Sequence, residues 1–292
     1  MGSGASRGWS HIGVLKALLK AGIAPDVICG TSVGAMVGAS YAAGNLDKLE
    51  EWVLGSSRTD ILRFFSIRLA RTAFVDKEKF NEFLHSFVAA SDVLIEDLHC
   101  VYAAVCTSLD DGSEVWIRNG SLADAVRASM AMPGLFPPER VDDRWLVDGG
   151  LVNPVPVTTC RALGADKVIG INLNADILNR PWTNQRRDSP STVENIISTL
   201  REKTPMLSES SVPDRDDAER PPGLLSAISK SINIFQDQIT RGRLRSDPAD
   251  VMISPQLAHI RMLDFQQAAE AIKEGEKRVQ RAMSEISALV ET

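Results

Sequence analysis

The sequence lacks the features of several protein classes. No apolar run approaches the roughly 18 residues that a membrane-spanning helix needs, and the first residues do not follow the basic-then-apolar pattern of a signal peptide. Basic residues are in deficit, with 32 Lys and Arg against 38 Asp and Glu and a net charge of −6. Because a nucleic-acid binder needs a clustered basic surface, we expect no nucleic-acid partner. With neither a membrane-spanning segment nor a signal-peptide pattern in the sequence, we expect a cytoplasmic protein.

Cysteine and histidine are also scarce. The cysteines are Cys29, Cys100, Cys106 and Cys160. They form no C-x-x-C pair and no Cys/His cluster with zinc-like spacing, and no calcium-binding loop pattern is present. We therefore expect buried free thiols in a reducing compartment, and neither a metal nor another cofactor. The only histidines available as a catalytic base are His11, His85, His99 and His259.

Apolar segments of strand length alternate with segments of helical length. The apolar segments are DVIC, CVYAAVCTSL, RWLVDGG, KVIGINL and DVMISP. Because these segments are apolar along their length, the pattern predicts strands buried on both faces, as in a mostly parallel sheet between two layers of helices. The expected fold class is α/β with a three-layer α/β/α arrangement.

The composition changes in one long segment. Residues from about 179 to 222 are rich in Pro, Ser, Arg and Asp and show little periodicity, which predicts a variable excursion on the surface. We predict a single domain over 1–292, whose core comprises about 1–178 plus 246–292.

A serine lies between two glycines where a predicted strand meets a predicted helix. The segment PDVICGTSVGAMVGASYAAG contains the pattern G-x-S-x-G, formed by Gly30, Ser32 and Gly34. In this context the serine occupies a strained turn that exposes its hydroxyl, and the helix presents N-terminal amides to a developing oxyanion. A tight turn that contains serine by chance is the alternative. The flanking strand and helix favour Ser32 as a nucleophile.

A serine nucleophile needs a base within hydrogen-bonding reach. His259 has the chain order of a Ser-Asp-His triad, but nothing marks it as exposed at the carboxyl edge of the sheet. Asp148, in RWLVDGGLVNPVP, ends a buried strand and should project at that edge. An aspartate of ordinary pKa is a weak base, yet one in direct contact with the serine and shielded from water can act. We favour Asp148, with a solvated turn aspartate as the alternative.

A glycine-rich loop opens directly onto the first predicted helix. The segment GSGASRG (2–8) lacks the spacing of a dinucleotide fingerprint and is followed by no P-loop lysine. Its backbone N–H groups could instead stabilise a tetrahedral oxyanion.

These three motifs, in this order and together with ASMAMPGLFPP (128–138), resemble the patatin-like phospholipases, in particular the bacterial members of the neuropathy target esterase group. The resemblance implies a Ser–Asp dyad without histidine, with Ser32 as nucleophile and Asp148 as base. It places the oxyanion hole in the segment of Gly4, Ala5 and Ser6, completed by Arg7 and Gly8, with bracing of the loop as the alternative for Arg7. It implies that the substrate partners are phospholipids, lysophospholipids or related lipids.

One departure from this family bears on function. Family members have an apolar strand immediately before the glycine loop, whereas this sequence starts at Met1. Without that strand we expect the loop to lack an anchor on its N-terminal side and neighbouring backbone to lose its partner. Either the true start lies upstream or the oxyanion loop is impaired. The alternative function is therefore a non-catalytic lipid-binding or regulatory protein, and a histidine-triad esterase is a third.

Membrane contact and assembly are less determined by the sequence. Apolar residues near Phe64 and Phe65, or within the variable segment, could meet a membrane surface peripherally, although single exposed apolar residues are ordinary. The sequence does not set the oligomeric state.

Overall fold

The structure is a computed structural model that describes residues 1–56, 77–178 and 224–291, with the side chains of 224–229 excluded. The described residues of 1–178 and 229–291 belong to one compact unit. Phe64, Phe65 and the predicted excursion at 179–222 lie outside the described residues. The single domain over 1–292 stays a prediction.

The helices of the described ranges follow in chain order. They are α1 (Ser10–Lys20), α2 (Val33–Ala42), α3 (Leu46–Gly55), α4 (Lys77–Phe87), α5 (Leu122–Ser129), α6 (Val157–Ala162), α7 (Leu224–Ser246) and α8 (Ala268–Glu291). Short 3₁₀ turns cover Ala5–Trp9, Ile95–Asp97, Gly149–Leu151 and Phe265–Gln267. Ser121 caps α5, because its hydroxyl accepts the Asp124 N–H at 3.3 Å.

The strands form a mixed sheet and a separate strand pair. They are β1 (Val27–Thr31), β2 (Val101–Ser108), β3 (Glu114–Ile117), β4 (Glu139–Val141), β5 (Arg144–Asp148), β6 (Ile169–Ile171) and β7 (Val251–Ile253). The path of the larger sheet is β1-β2-β5-β4, with β3 also paired to β2.

The predicted α/β class is confirmed. The strands pair in both directions. β1 with β2 and β6 with β7 are parallel, whereas β2 with β3, β2 with β5 and β4 with β5 are antiparallel. A short turn joins β4 to β5, with positive φ at Asp142 (47°) and Asp143 (65°). Such a turn reverses the chain direction, so β4 pairs with β5 in the antiparallel direction. The apolar segments of the sequence do not show this pairing. β4 is too short and polar to be recognised from sequence.

Glycines set the packing of α1 on α8. A Cβ on Gly13 would stand 1.9 Å from the Ile272 carbonyl oxygen, and one on Gly275 would stand 2.1 Å from the Ser10 carbonyl oxygen. The two backbones therefore approach more closely than side chains allow. Since the glycine-rich loop (2–8) leads directly into α1, this contact fixes the end of the loop.

Candidate active site

Ser32 occupies a strained turn between β1 and α2. Its backbone angles are φ 57° and ψ −125°, and a positive φ is unfavourable for a residue with a side chain. The turn is held because the Ser32 N–H donates to the Ser129 hydroxyl at 2.9 Å, and this hydroxyl donates to the Val105 carbonyl at 2.6 Å. The Ser129 side chain, at the end of α5, thus holds the turn at Ser32 in place.

Gly30 and Gly34, which flank the turn at Ser32, have no side chain because other backbone atoms lie too close. A Cβ on Gly30 would stand 2.4 Å from the Ala35 Cα, where α2 turns back on the strand. A Cβ on Gly34 would stand 2.4 Å from the Met1 carbonyl oxygen and 2.7 Å from that of Gly2. Gly34 therefore lets the N-terminal residues lie directly against the start of α2.

Strand register brings Asp148 to Ser32. The last residue of β1, Thr31, lies beside Val105 of β2, and the last residue of β5, Asp148, lies beside the next residue, Cys106. The carboxyl ends of β1 and β5 therefore meet at the same level of β2. Asp148 is only 1% exposed.

The Asp148 carboxylate is oriented but incompletely paired. Its Oδ1 accepts the Gly150 N–H at 2.7 Å. Its buried Oδ2 has no partner at hydrogen-bonding distance and angle among the described residues, although the Ser32 hydroxyl is near enough to lower the pKa of the carboxyl. One oxygen is thus fixed by the turn, and the other is left to receive a proton.

Burial makes this carboxylate a stronger base. Desolvation raises the pKa of Asp148 from 3.8 to about 6, against the opposing effects of the Ser32 hydroxyl and the Gly150 amide. A carboxyl with this pKa is mostly ionised at neutral pH, and it is more basic than a solvated aspartate.

The first residues of the chain are anchored between β1 and β6. Met1 N donates to the Cys29 carbonyl at 2.7 Å and the Thr31 N–H donates to the Met1 carbonyl at 3.1 Å. Gly2 N donates to the Ile171 carbonyl at 3.0 Å. The expectation that the loop would have no anchor on its N-terminal side is therefore wrong, because these backbone groups find partners on two strands.

The peptide between Gly4 and Ala5 is turned so that its N–H is available. Arg7 donates to the Gly4 carbonyl oxygen from Nε at 3.1 Å and from its backbone N–H at 3.2 Å. In a trans peptide the N–H points opposite to the carbonyl, so the Ala5 N–H points away from Arg7. Among the described residues no acceptor is seen for the N–H groups of Gly4 and Ala5. Ala5 itself has a φ of 48°.

The other predicted loop residues have structural contacts. The Ser6 N–H donates to the Met262 carbonyl at 3.2 Å, so this amide is not available to an oxyanion. Arg7 is 3% exposed, and burial lowers its pKa to about 10. A Cβ on Gly8 would stand 2.2 Å from the Val33 side chain. The loop therefore packs on the residue that follows Ser32, and Arg7 braces it.

None of the four histidines, all of which are described, is hydrogen-bonded to Ser32 or Asp148. His259 Nε2 pairs with Glu270 Oε1 at 2.7 Å at the surface. His11 Nε2 hydrogen-bonds the Gly2 carbonyl at 2.8 Å, and burial lowers its pKa to about 3. His99 packs against Tyr41, and His85 lies exposed on α4. A neutral His11 supports the loop rather than acting as a base.

Sequence reasoning missed the contribution of α7. Gln236 hydrogen-bonds Ser3 and Asn174, and Asn233 accepts from Arg7 at 3.3 Å. No motif marks these amides, and they follow a segment of no clear periodicity. Their only sequence signal is a pair of polar residues three apart on one helix face.

Substitution of Gly149 tests how closely the turn after Asp148 packs against the sheet. A Cβ at Gly149 would stand 2.1 Å from the Val105 carbonyl oxygen in the middle of the sheet. We expect Gly149→Ala to destabilise the protein by about 2–4 kcal/mol. Gly242→Ala in α7 is the matched control, because nothing lies within 4 Å of its Cβ; it should stabilise by up to about 1 kcal/mol. Urea denaturation measures both, and equal effects would contradict the tight turn.

The described residues form neither a metal site nor a membrane-spanning helix. No cluster of three or more His, Cys, Asp or Glu side chains is placed to hold a metal ion. No helix in the described ranges is both long enough and apolar enough to cross a membrane.

Comparison with known proteins identifies relatives. The family model for patatin-like phospholipases matches residues 1–161. An uncharacterized NTE family protein of Mycobacterium tuberculosis is 31% identical over 317 residues, covering 94% of this chain and 88% of the relative. Human patatin-like phospholipase domain-containing protein 6 is 36% identical over 183 residues, which cover 60% of this chain and 13% of the human protein. Neuropathy target esterase sws of Drosophila melanogaster is 33% identical over 60% of this chain and 13% of its own length.

Proposed function

Because the chain belongs to the patatin-like phospholipase family, we propose that it is a serine acyl hydrolase that cleaves carboxylic esters of phospholipids, lysophospholipids or related lipids. The observation that carries this proposal is the meeting of the Ser32 hydroxyl with the buried Asp148 carboxylate at the ends of β1 and β5. A carboxylate of raised pKa beside a hydroxyl on a strained turn is suited to nucleophilic catalysis.

The first half of the proposed reaction acylates Ser32. Its Oγ attacks the acyl carbonyl carbon while Asp148 takes the hydroxyl proton. The carbonyl oxygen becomes an oxyanion, and the N–H groups of Gly4 and Ala5 stabilise it, helped by the N-terminal end of α2. When the tetrahedral intermediate collapses, Asp148 returns the proton to the departing alcohol oxygen. An acyl-serine ester and a free alcohol result.

The second half repeats these steps with water. Asp148 takes a proton from a water molecule, which attacks the acyl carbonyl of the Ser32 ester. The intermediate again places its charge on the Gly4 and Ala5 amides. When the intermediate collapses, Asp148 returns its proton to the Ser32 oxygen, which restores the serine hydroxyl and releases the fatty acid. No step needs a metal.

Release of fatty acid from a lysophospholipid and a phospholipid dispersed in detergent is the direct test. The rate should rise with pH through about 6 and level off above 7, because only ionised Asp148 can act as base and burial raises its pKa to about 6. At pH 5 we expect about a tenfold lower rate than at pH 8. No fatty-acid release from either lipid by folded protein would overturn the proposal and favour the non-catalytic lipid-binding alternative.

A further inference from the structure

Gln236 of α7 lies between the oxyanion loop and the turn that follows Asp148. It is 4% exposed. Its Oε1 accepts a hydrogen bond from the Ser3 hydroxyl at 3.1 Å and another from Asn174 Nδ2 at 2.9 Å. Both bonds use the same oxygen, so Nε2 at the other end of the carboxamide takes part in neither.

The Nε2 end of this amide packs onto Gly150. A Cβ on Gly150 would stand 2.4 Å from Gln236 Nε2 and 2.9 Å from Asp148 Oδ1. The amide nitrogen and the carboxylate therefore face the same small space, which stays open only because residue 150 has no side chain. Among the described residues no acceptor is seen for Nε2, so its N–H donors remain available.

A second amide on the same face of α7 reaches the other end of the loop. Asn233 precedes Gln236 by about one helical turn, so the two share a face. Asn233 Oδ1 accepts from Arg7 Nη2 at 3.3 Å, and Arg7 Nε in turn holds the Gly4 carbonyl at 3.1 Å. One helix thus contacts the loop at Ser3 and, through Arg7, at Gly4.

We propose that Gln236 is a positioning residue for the acyl-transfer site: its carboxamide holds the oxyanion loop against the turn of Gly149 and Gly150 and places a neutral N–H donor beside Asp148. The inference rests on the proposed function and names a determinant of it outside the three sequence motifs. Its neutral nitrogen favours the ionised form of a nearby carboxylate, whereas an oxygen anion at that position would oppose it.

A negative charge added at position 236 should change the pKa of Asp148 measurably, because few unpaired charges surround that carboxyl. Ionisable side chains on the packed elements are mostly paired. Glu139 of β4 pairs with Arg127 of α5 and with Lys77, Asp237 of α7 with Arg241, and Glu114 of β3 with Arg243. Cys106 of β2 is kept neutral, because burial raises its pKa. Arg7 and Asp176 lie at the loop.

Two substitutions separate the holding role from the electrostatic one. Gln236→Leu removes both the acceptor and the donor, so the loop should lose its fixed position. Gln236→Glu keeps an acceptor oxygen for Ser3 and Asn174 but replaces the Nε2 donor with an oxygen anion near Asp148. Gln238→Glu, on the exposed side of the same helix, adds the same charge away from the site and is the matched control.

The experiment measures kcat and KM for p-nitrophenyl butyrate between pH 5 and 9, with circular dichroism to verify folding. We expect Gln236→Leu to lower kcat about 10- to 100-fold with KM changed less than about threefold. We expect Gln236→Glu to move the acidic limb of the profile up by about one pH unit, with most of the activity regained at pH 9. Gln238→Glu should match the wild type.

The outcomes distinguish this inference from the proposed function. If the wild type hydrolyses the ester and folded Gln236→Glu gives the wild-type pH profile, Gln236 is not a positioning residue while the hydrolase stands. If Gln236→Leu does not fold, the profile of Gln236→Glu decides. A folded wild type without esterase activity overturns the hydrolase, and the role of Gln236 falls with it.

Discussion

Asp148→Asn is expected to abolish ester hydrolysis and to stabilise the protein at neutral pH. Asparagine keeps an oxygen for the Gly150 N–H, which Asp148 Oδ1 now accepts at 2.7 Å. It cannot accept the proton of the Ser32 hydroxyl. Since no histidine is hydrogen-bonded to Ser32, no other base takes over. We expect hydrolysis to fall about 10³-fold, measured as fatty-acid release at pH 8.

The stability effect follows from the raised pKa. Because burial raises the pKa of Asp148 from 3.8 to about 6, the folded protein binds this proton more tightly than the unfolded chain does. Ionisation therefore costs nothing below about pH 4, and the cost grows as the pH rises through 6. Above that, it reaches at most about 3 kcal/mol. Asparagine avoids this cost.

Denaturation at two pH values tests this prediction. Urea unfolding should show a gain in the free energy of unfolding for Asp148→Asn at pH 8 and none at pH 4. Asp92→Asn is the control, because Asp92 is exposed and should change neither stability nor activity. Wild-type hydrolysis by Asp148→Asn would remove Asp148 from the mechanism. In that case a loss of activity in His259→Ala would support the histidine-triad alternative.

Ser32→Ala is expected to prevent covalent labelling by a fluorophosphonate probe entirely. The probe reacts with an activated serine hydroxyl, and among the described residues the Ser32 hydroxyl lies beside the Asp148 carboxylate. Ser91→Ala, at an exposed position, should label as the wild type does. Labelling of Ser32→Ala to the wild-type extent would show that the nucleophile lies elsewhere.

Ser32→Gly should separate catalysis from backbone strain. It also removes the hydroxyl, so it should not label. Glycine adopts the φ of 57° seen at this turn without steric cost. We therefore expect Ser32→Gly to be about 1 kcal/mol more stable than Ser32→Ala in urea denaturation. The reverse order would mean that the turn is not strained.

Apolar segments of strand length predicted β1, β2, β5, β6 and β7. Helix-ending residues also follow two helices in the sequence, Gly22 after α1 and Pro133 after α5. Such signals are contained in a few neighbouring residues, so they need no knowledge of the rest of the chain. The antiparallel edge formed by β4 was not predictable in this way, because strand direction depends on which segments pair.

What the sequence determined by itself was the set of chemical groups: a serine in a glycine-flanked turn, an aspartate at a strand end and a glycine-rich loop before a helix. Tertiary structure decided which groups meet. The register of β1 and β5 on β2 brings Ser32 to Asp148. Burial raises the pKa of that carboxyl. The amides Gln236 and Asn233 of α7 bind loop residues Ser3 and Arg7, which are more than 220 positions away in the sequence. The physical reason is that pKa and hydrogen-bond partners depend on desolvation and on contacts between distant segments, which residue identity alone does not contain.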